Sequence, residues 1–488
     1  WPGELREVAL ESRSAILAAL GVDTNDENAT ASAISQHETV RWTRLLPPVS
    51  VVHVDQSIRI PLAVSRDLRA KSVEWTITLE SGEERSGAAE LRKLPVEEEG
   101  EADGRSYTRH ALLLPALPLG YHTLDTTLDT GLTAQSSVIV APEACFEPAI
   151  IARGEKAWGI AVQLYSLRSQ NNWGIGDFGD LGELIRLAAP SGCHMIGLNP
   201  LHALAPADPS RISPYSPSNR LYLNVLYICV PEVAELGECD AARKRVAEPG
   251  FQQKLAELRA TANVDYVRVA AAKFEILKLL YAQFRSAHLD RDTQRAAAFR
   301  DFIDSYGDSL RLHATYDALD AHLRLQGPQY WGWPSWPDDY RDATSSTVNR
   351  FARERAQEVE YFLYLQWLAA EQLESAQRAA RERGMSIGLY GDVAVGSNPA
   401  GSETWSNRHL YLQGASVGAP PDALALKGQD WGIPPQDPNE LKTEQYRPFV
   451  ELLRNNMRHV AALRSANACG LTVHGATMGR SASVFGIA

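Results

Sequence analysis

Residues Met385–Trp405, MSIGLYGDVAVGSNPAGSETW, decide how this chain is read. A run of helical period precedes them, with Tyr361, Leu365, Leu368, Ala369 and Gln372 on one face and many Arg and Glu on the other. It meets Gly384, where a helix terminus favours positive φ. The next stretch is short and apolar. Ile387 and Leu389 alternate with small residues, the pattern of a strand buried in a parallel sheet, and Asp392 is expected just past its end. A carboxylate at the carboxyl end of a parallel strand that follows a helix is where α/β enzymes keep polar chemistry. From position alone, an aspartate that turns or caps the chain before Val393 is the alternative.

Working back toward the N-terminus, AWGIAVQLYSL from Ala157 reads as a strand, DFGDLGELIRLAAPSG as a helix with a glycine stop, and HMIGLNPLHAL as a second strand. That βαβ unit implies a parallel sheet with a right-handed crossover. Between about 206 and 383 lies a mostly helical insertion, including FQQKLAELRATANVDYVRVAAAKFEILKLLYAQF and an aromatic patch, YWGWPSWPDDY. After the third strand come a loop without regular pattern through Pro438, a helix around Tyr446–Arg458 and a fourth strand, AALR. Upstream, about Pro47 to Pro142, the β-branched runs SVVHV, SIRIPLAV, SVEWTITL, SYTRHALLL and SSVIVA predict a sandwich-like β domain, with the acidic EEEGEADG as a solvated loop. Residues Leu5–Ala33 predict a small helical arm stopped at Gly21 and followed by a polar segment.

Composition bounds the function. The chain has 488 residues, 44% apolar and 22% charged, which suits a multidomain globular protein. A net charge of −12 argues against nucleic acid or an anionic membrane as the main partner, because phosphate binding needs clustered Lys and Arg. No apolar run reaches the roughly 18 residues of a membrane span. The five cysteines (Cys145, Cys193, Cys229, Cys239, Cys469) form no C-x-x-C pair and read as reduced cytoplasmic thiols, with neither a disulfide framework nor a zinc site. The chain begins with Trp1, so a fragment is expected at that end.

Two motifs fail on context. Gly174, Gly176 and Gly179 spell G-x-G-x-x-G, but LRSQNN separates them from the strand, and Asn199 stands where a ribose-binding carboxylate should be. A dinucleotide oxidoreductase would need cofactor binding that depends on Gly174 and Gly176. Gly414, Ser416 and Gly418 match the G-x-S-x-G elbow, which needs a helix after it; Pro420 and Pro421 come next instead, so the segment reads as a loop.

Two loops suit a polyhydroxylated ligand. SPYSPSNRLYLN offers Ser213 and Tyr215, and GAPPDALALKGQDWGIPPQDP offers Asp422, Gln429 and Trp431. An aromatic ring flanked by carboxylate and amide is the usual make-up of a sugar-stacking site, while a loop tryptophan can equally be a packing residue.

Taken in order, QLYSLRSQNNWGIGDFGDL, SPYSPSNRLYLNVLYI, YGDVAVG and SVGAPPDALALKGQDWGIPPQDP resemble the amylomaltase family, the 4-α-glucanotransferases or disproportionating enzymes of the α-amylase-like clan. The resemblance runs over about Glu147–Arg464. The helical segment (1–45) and β-rich part (46–146) look like the extra N-terminal domains of the longer bacterial members. It implies an α/β fold of (β/α)8-barrel type, of which 147–464 would be the first four strands with a helical insertion at about 206–383. It also implies a retaining transfer of α-1,4-glucan segments between maltooligosaccharides, through a covalent glucosyl-enzyme. One carboxylate acts there as nucleophile and a second, about 5 Å away, as acid and then base, with no metal or organic cofactor required. By resemblance Tyr215 and Asp392 line the subsite of the cleaved sugar, and Asp422 and Trp431 bind and stack on neighbouring glucose units. Arg464 matches the arginine two residues before the nucleophile.

There the pattern breaks. The family continues with Ile-Asp-His, and this chain with Ser465, Ala466 and Asn467; Glu451 is its last carboxylate. Neither nucleophile nor acid/base can be placed. The tail 465–488, rich in Ala, Gly and Ser, is expected to be the out-of-frame or misjoined end of a longer gene. Four strands leave two open edges, so the chain alone is expected to be poorly soluble and inactive as a transferase. The rival reading is a non-catalytic glucan-binding remnant that uses Tyr215, Asp422 and Trp431.

Overall fold

The computed structural model of the chain describes residues 9–54, 56–419, 425–426, 428–465 and 483–484. The described residues divide into two compact units: those of Trp1–Cys145, Leu412–Ala415 and Gln436–Val450, and those of Phe146–Tyr411, Ser416–Pro435 and Glu451–Ala488.

In the first unit, α1 (Leu10–Ala19) and α2 (Glu27–Thr43) precede eight strands. The polar segment after Gly21 is therefore largely helix. Asp26 caps α2 by accepting from Asn28 N at 2.8 Å, and the helix buries one ring, Trp42. Strands β1 (Val49–His53), β2 (Ile58–Ser65), β3 (Ser72–Thr78), β4 (Glu84–Glu90), β5 (Val96–Ala102), β6 (Arg105–Leu114), β7 (Gly120–Leu128) and β8 (Thr133–Ala141) form sheets ordered β1-β8-β7-β3-β4 and β2-β6-β5. Their inner faces bury Ile60, Leu62, Ile77, Leu112, Leu124 and Val138.

The acidic stretch expected to be a loop is instead β5. It pairs with β6, and Arg109 at 2.6 Å and Arg41 at 2.5 Å neutralise Glu98. Charged residues along an edge strand also block pairing with a second sheet. Strands β4 and β7 are likewise hidden among turn-forming and charged residues.

The second unit opens with α3 (Ala149–Ala152), β9 (Gly159–Val162), α4 (Phe178–Ala188), β10 (Met195–Leu198) and the antiparallel pair β11 (His202–Ala203) and β12 (Asn219–Leu223). The SPYSPSNRLYLN segment is thus a loop only up to Ser218. Helices α5 (Asp240–Ala247), α6 (Pro249–Ala260), α7 (Tyr266–Ala287), α8 (Gln294–Arg324), α9 (Asp338–Arg341), α10 (Ser346–Glu354) and α11 (Ala356–Glu382) come next. The chain then runs through β13 (Gly388–Val393), α12 (Ser402–Ser406), the ribbon β14 (Val417–Ala419) and β15 (Gln429–Ile433), α13 (Pro438–Thr443), α14 (Arg447–Met457), β16 (Ala462–Ser465) and β17 (Ser483–Val484). The segment expected to be irregular up to Pro438 therefore holds a helical turn and a two-stranded ribbon.

Strands β9, β10, β13 and β16 are parallel neighbours in that order, and β17 pairs antiparallel with β16. Gly384 ends α11 as the sequence implies. It has φ +79°, its N–H donates to Arg381 O, and Met385 N donates to Ala380 O, a Schellman pair that turns the chain into β13.

The G-x-G-x-x-G segment serves packing. Asp177 caps α4 reciprocally with Asp180. The fully buried Lys273 ammonium donates to Asp177 Oδ2 at 3.0 Å and to Leu226 O and Ile228 O at 2.8 Å each. A Cβ on Gly176 would lie 2.0 Å from Leu164 O and 2.8 Å from Leu167 Cβ. Since that obstacle is backbone, Gly176→Ala should destabilise the second unit by about 2 kcal/mol or more, read as a lowered urea midpoint at unchanged slope.

Candidate functional site

Asp392 lies inside β13 as its next-to-last residue, whereas the sequence pattern places it just past the end. The reason is that β16 supplies ladder partners one residue further, through Val393 with Ser465. In that register Asp392 is the direct partner of Arg464. Arg464 Nη1 stands 3.7 Å from Asp392 Oδ2, the Asp392 side chain being 7% exposed and that of Arg464 56%. Burial raises the Asp392 carboxyl above its ordinary value, opposed by the Arg464 charge and by the Val393 amide. Asp392 Oδ1 is buried without a hydrogen-bond partner among the described residues. A carboxylate oxygen left in that state is costly unless a ligand or solvent supplies a donor.

Loops leave the carboxyl ends of β10 and β13. The first carries Ser213 and Tyr215, both exposed, with Ser213 Oγ accepting from Tyr215 N at 3.3 Å. Gln429 and Trp431 sit on β15 and not on a loop, because Val417–Ala419 provides a strand partner that their spacing does not announce. Trp431 Nε1 donates to Gln429 Oε1 at 2.9 Å, which orients a half-buried indole. Asp422 lies outside the described residues. The structure therefore joins Asp392 with Arg464, Ser213 with Tyr215, and Gln429 with Trp431. In the elbow-like GASVG, Ser416 donates to Asp430 across the ribbon, with strand and not helix after it.

Sequence reasoning missed the clamp that holds these loops. Arg220, on β12, donates from Nε and Nη2 to Glu403 Oε1 at 3.1 and 2.7 Å, and its backbone N donates to Glu403 Oε2 at 2.8 Å. Its Nη1 reaches Val395 O at 3.1 Å. Tyr411 and Ser397 also donate to Glu403. Burial alone would raise the Glu403 carboxyl, but the Arg220 charge and the bonds from Arg220, Ser397 and Tyr411 hold it at about 2. His202 Nε2 accepts from Ala394 N at 3.0 Å, two residues beyond Asp392. Burial, then the nearby Arg220 charge, lowers this imidazole to about 3 and keeps it neutral. Both ends of the clamp are visible as charges inside SPSNRLYLN and GSETW, but nothing in the sequence pairs them.

A Ser–His–Asp arrangement also occurs. His313 Nδ1 lies 2.7 Å from Ser402 Oγ, and His313 Nε2 lies 3.6 Å from Asp317 Oδ2. Ser402 is completely buried and accepts a further bond from Asn219 Nδ2 at 3.1 Å, so no acyl substrate reaches it. Among the described residues, no group of three or more His, Cys, Asp or Glu is placed to hold a metal ion, no helix is long and apolar enough to cross a membrane, and Cys145, Cys193, Cys229 and Cys239 are free thiols. Cys469 lies outside the described residues.

Comparison with known proteins bears on the family and the fold. A family described as 4-alpha-glucanotransferase matches residues 162–471, and one described as the MalQ N-terminal beta sandwich domain matches residues 45–142. The 4-alpha-glucanotransferase of Haemophilus influenzae is 36% identical over 363 residues, which are 74% of this chain and 52% of that protein. That of Mycobacterium tuberculosis is 34% identical over 481 residues, 96% of this chain and 63% of the relative. The crystal structure of amylomaltase from Corynebacterium glutamicum superimposes with a TM-score of 0.78 at 30% identity, covering 96% of this chain and 62% of that one. The chain thus spans between half and two thirds of the length of these relatives.

Proposed function

Because the chain belongs to the 4-alpha-glucanotransferase family, we propose that it binds α-1,4-linked maltooligosaccharides across the carboxyl edge of its parallel sheet, as the first part of a glucan-transferring fold. On this reading β9, β10, β13 and β16 are the first four strands of a (β/α)8 barrel. Residues 147–464 form this half, after a sandwich domain at 46–146 and a helical segment at 1–45. Asp392 and Tyr215 hold the glucose unit at the reacting position, Ser213 and Gln429 bond to sugar hydroxyls, and Trp431 and Asp422 hold neighbouring units. Arg464 opposes the rise that burial gives the Asp392 carboxyl.

The observation that carries this reading is the buried, unbonded Oδ1 of Asp392 beside Arg464, at the strand ends where α/β folds place ligands. A sugar hydroxyl satisfies that oxygen.

Retaining transfer needs two carboxylates about 5 Å apart, one to attack the anomeric carbon and one to protonate the leaving oxygen. By the resemblance Asp392 is neither of these two, and directly after Arg464, where the family carries its nucleophile, this sequence has Ser465, Ala466 and Asn467. We therefore assign this chain sugar binding without bond cleavage. A maltotriose titration followed by intrinsic tryptophan fluorescence should show saturable binding. Asp392→Ala should weaken it about tenfold or more, the worth of a hydrogen bond to a charged group. Equal binding by the variant would refute the role of Asp392.

A further inference from the structure

We infer that Trp331 is an additional glucan-stacking surface, which engages units of longer chains beyond the one held by Asp392. This rests on the function proposed above. Trp331 lies in the aromatic insertion segment and is 49% exposed, which leaves part of a large flat ring open to solvent.

Its backbone, by contrast, is fixed. The carbonyl of Trp331 accepts from Arg211 Nη2 at 2.6 Å and from Arg324 Nη2 at 2.5 Å. Both guanidiniums are anchored by Asp208, at 3.2 and 3.3 Å. Arg211 stands two residues before Ser213 and four before Tyr215, so the clamp ties Trp331 to the loop that bears those groups. The neighbouring Trp333 Nε1 donates to Thr404 Oγ1 at 3.2 Å, which ties the same segment to α12, the helix that follows β13.

An exposed indole on a backbone held by two charge-assisted bonds is a pre-organised platform: binding a sugar there costs little ordering of the chain. Asp392 lies buried on β13, whereas Trp331 is half exposed on a segment tied through Arg211 to the loop that bears Tyr215. A sugar held at Asp392 leaves the indole to later units, so the effect should depend on chain length.

Calorimetric titration of the whole chain with maltotriose and with maltoheptaose tests this, using Trp331→Ala, Trp331→Phe and Asp392→Ala. Trp331→Ala should weaken maltoheptaose by about fivefold or more and leave maltotriose within twofold, with Trp331→Phe keeping most of the affinity. Unchanged maltoheptaose affinity in Trp331→Ala, with Asp392→Ala impaired, overturns the role of Trp331 alone. Equal losses for both sugars in Trp331→Ala also overturn it, since they would reflect the unit held at Asp392. Absence of binding of either sugar to the unaltered chain overturns this inference together with the function it rests on.

Discussion

Replacing Arg220 with methionine should destabilise the second unit by about 3–5 kcal/mol, enough to erase much of the stability of an ordinary domain. The cost comes from the groups left behind. Glu403 would stay buried at 5% exposure, held only by Ser397, Tyr411 and the Arg220 backbone amide, with no opposite charge beside it. Val395 O would lose its donor as well. Urea denaturation of the single variants and of Arg220→Met combined with Glu403→Leu separates the parts. The double variant should recover a large share of the loss, because no unpaired buried charge remains. Equal stability of Arg220→Met and the unaltered chain would mean the pair is not desolvated as described.

Acid should weaken the same clamp, in two windows. His202 is held at about 3 in the folded chain against an ordinary 6.5, so the unfolded chain binds the extra proton first. The stability from keeping it neutral is complete above about pH 6.5 and is lost as pH falls toward 3, on the order of 5 kcal/mol in all. Glu403, held at about 2 against 4.5, adds on the order of 3 kcal/mol that is present above 4.5 and lost as pH falls through 2. Burial raises the carboxyls of Asp317 and Asp320, which therefore act with the opposite sign. Comparison with His202→Gln isolates the imidazole. The unaltered chain should lose stability between pH 6.5 and 4 more steeply than this variant, and parallel curves would contradict the assignment.

How much of the fold is legible in the sequence depends on the range of the interactions. Helix α11, its glycine stop and β13 are legible because their signals are local: apolar period, a positive-φ glycine and a short apolar run. Asp392 and Arg464 stand at the ends of two such runs, and parallel pairing brings them into register. Arg220 and Glu403 lie 183 positions apart, and each alone looks like an ordinary surface charge. Strand β5 is concealed because its glutamates read as solvated until Arg41 and Arg109 arrive from α2 and β6. Helix α2 is concealed for a different reason: its Ser, Thr and Asn residues bury only Trp42, so no apolar stripe marks it.

On the proposed function this chain positions a glucan without the pair of carboxylates that would cleave it. Incubating the purified chain with maltotriose and separating the products by chromatography tests it most directly. The account predicts unchanged maltotriose under conditions where calorimetry shows it bound, with no glucose and no longer oligosaccharides. Accumulation of glucose together with maltopentaose, abolished in Asp392→Ala, would contradict it.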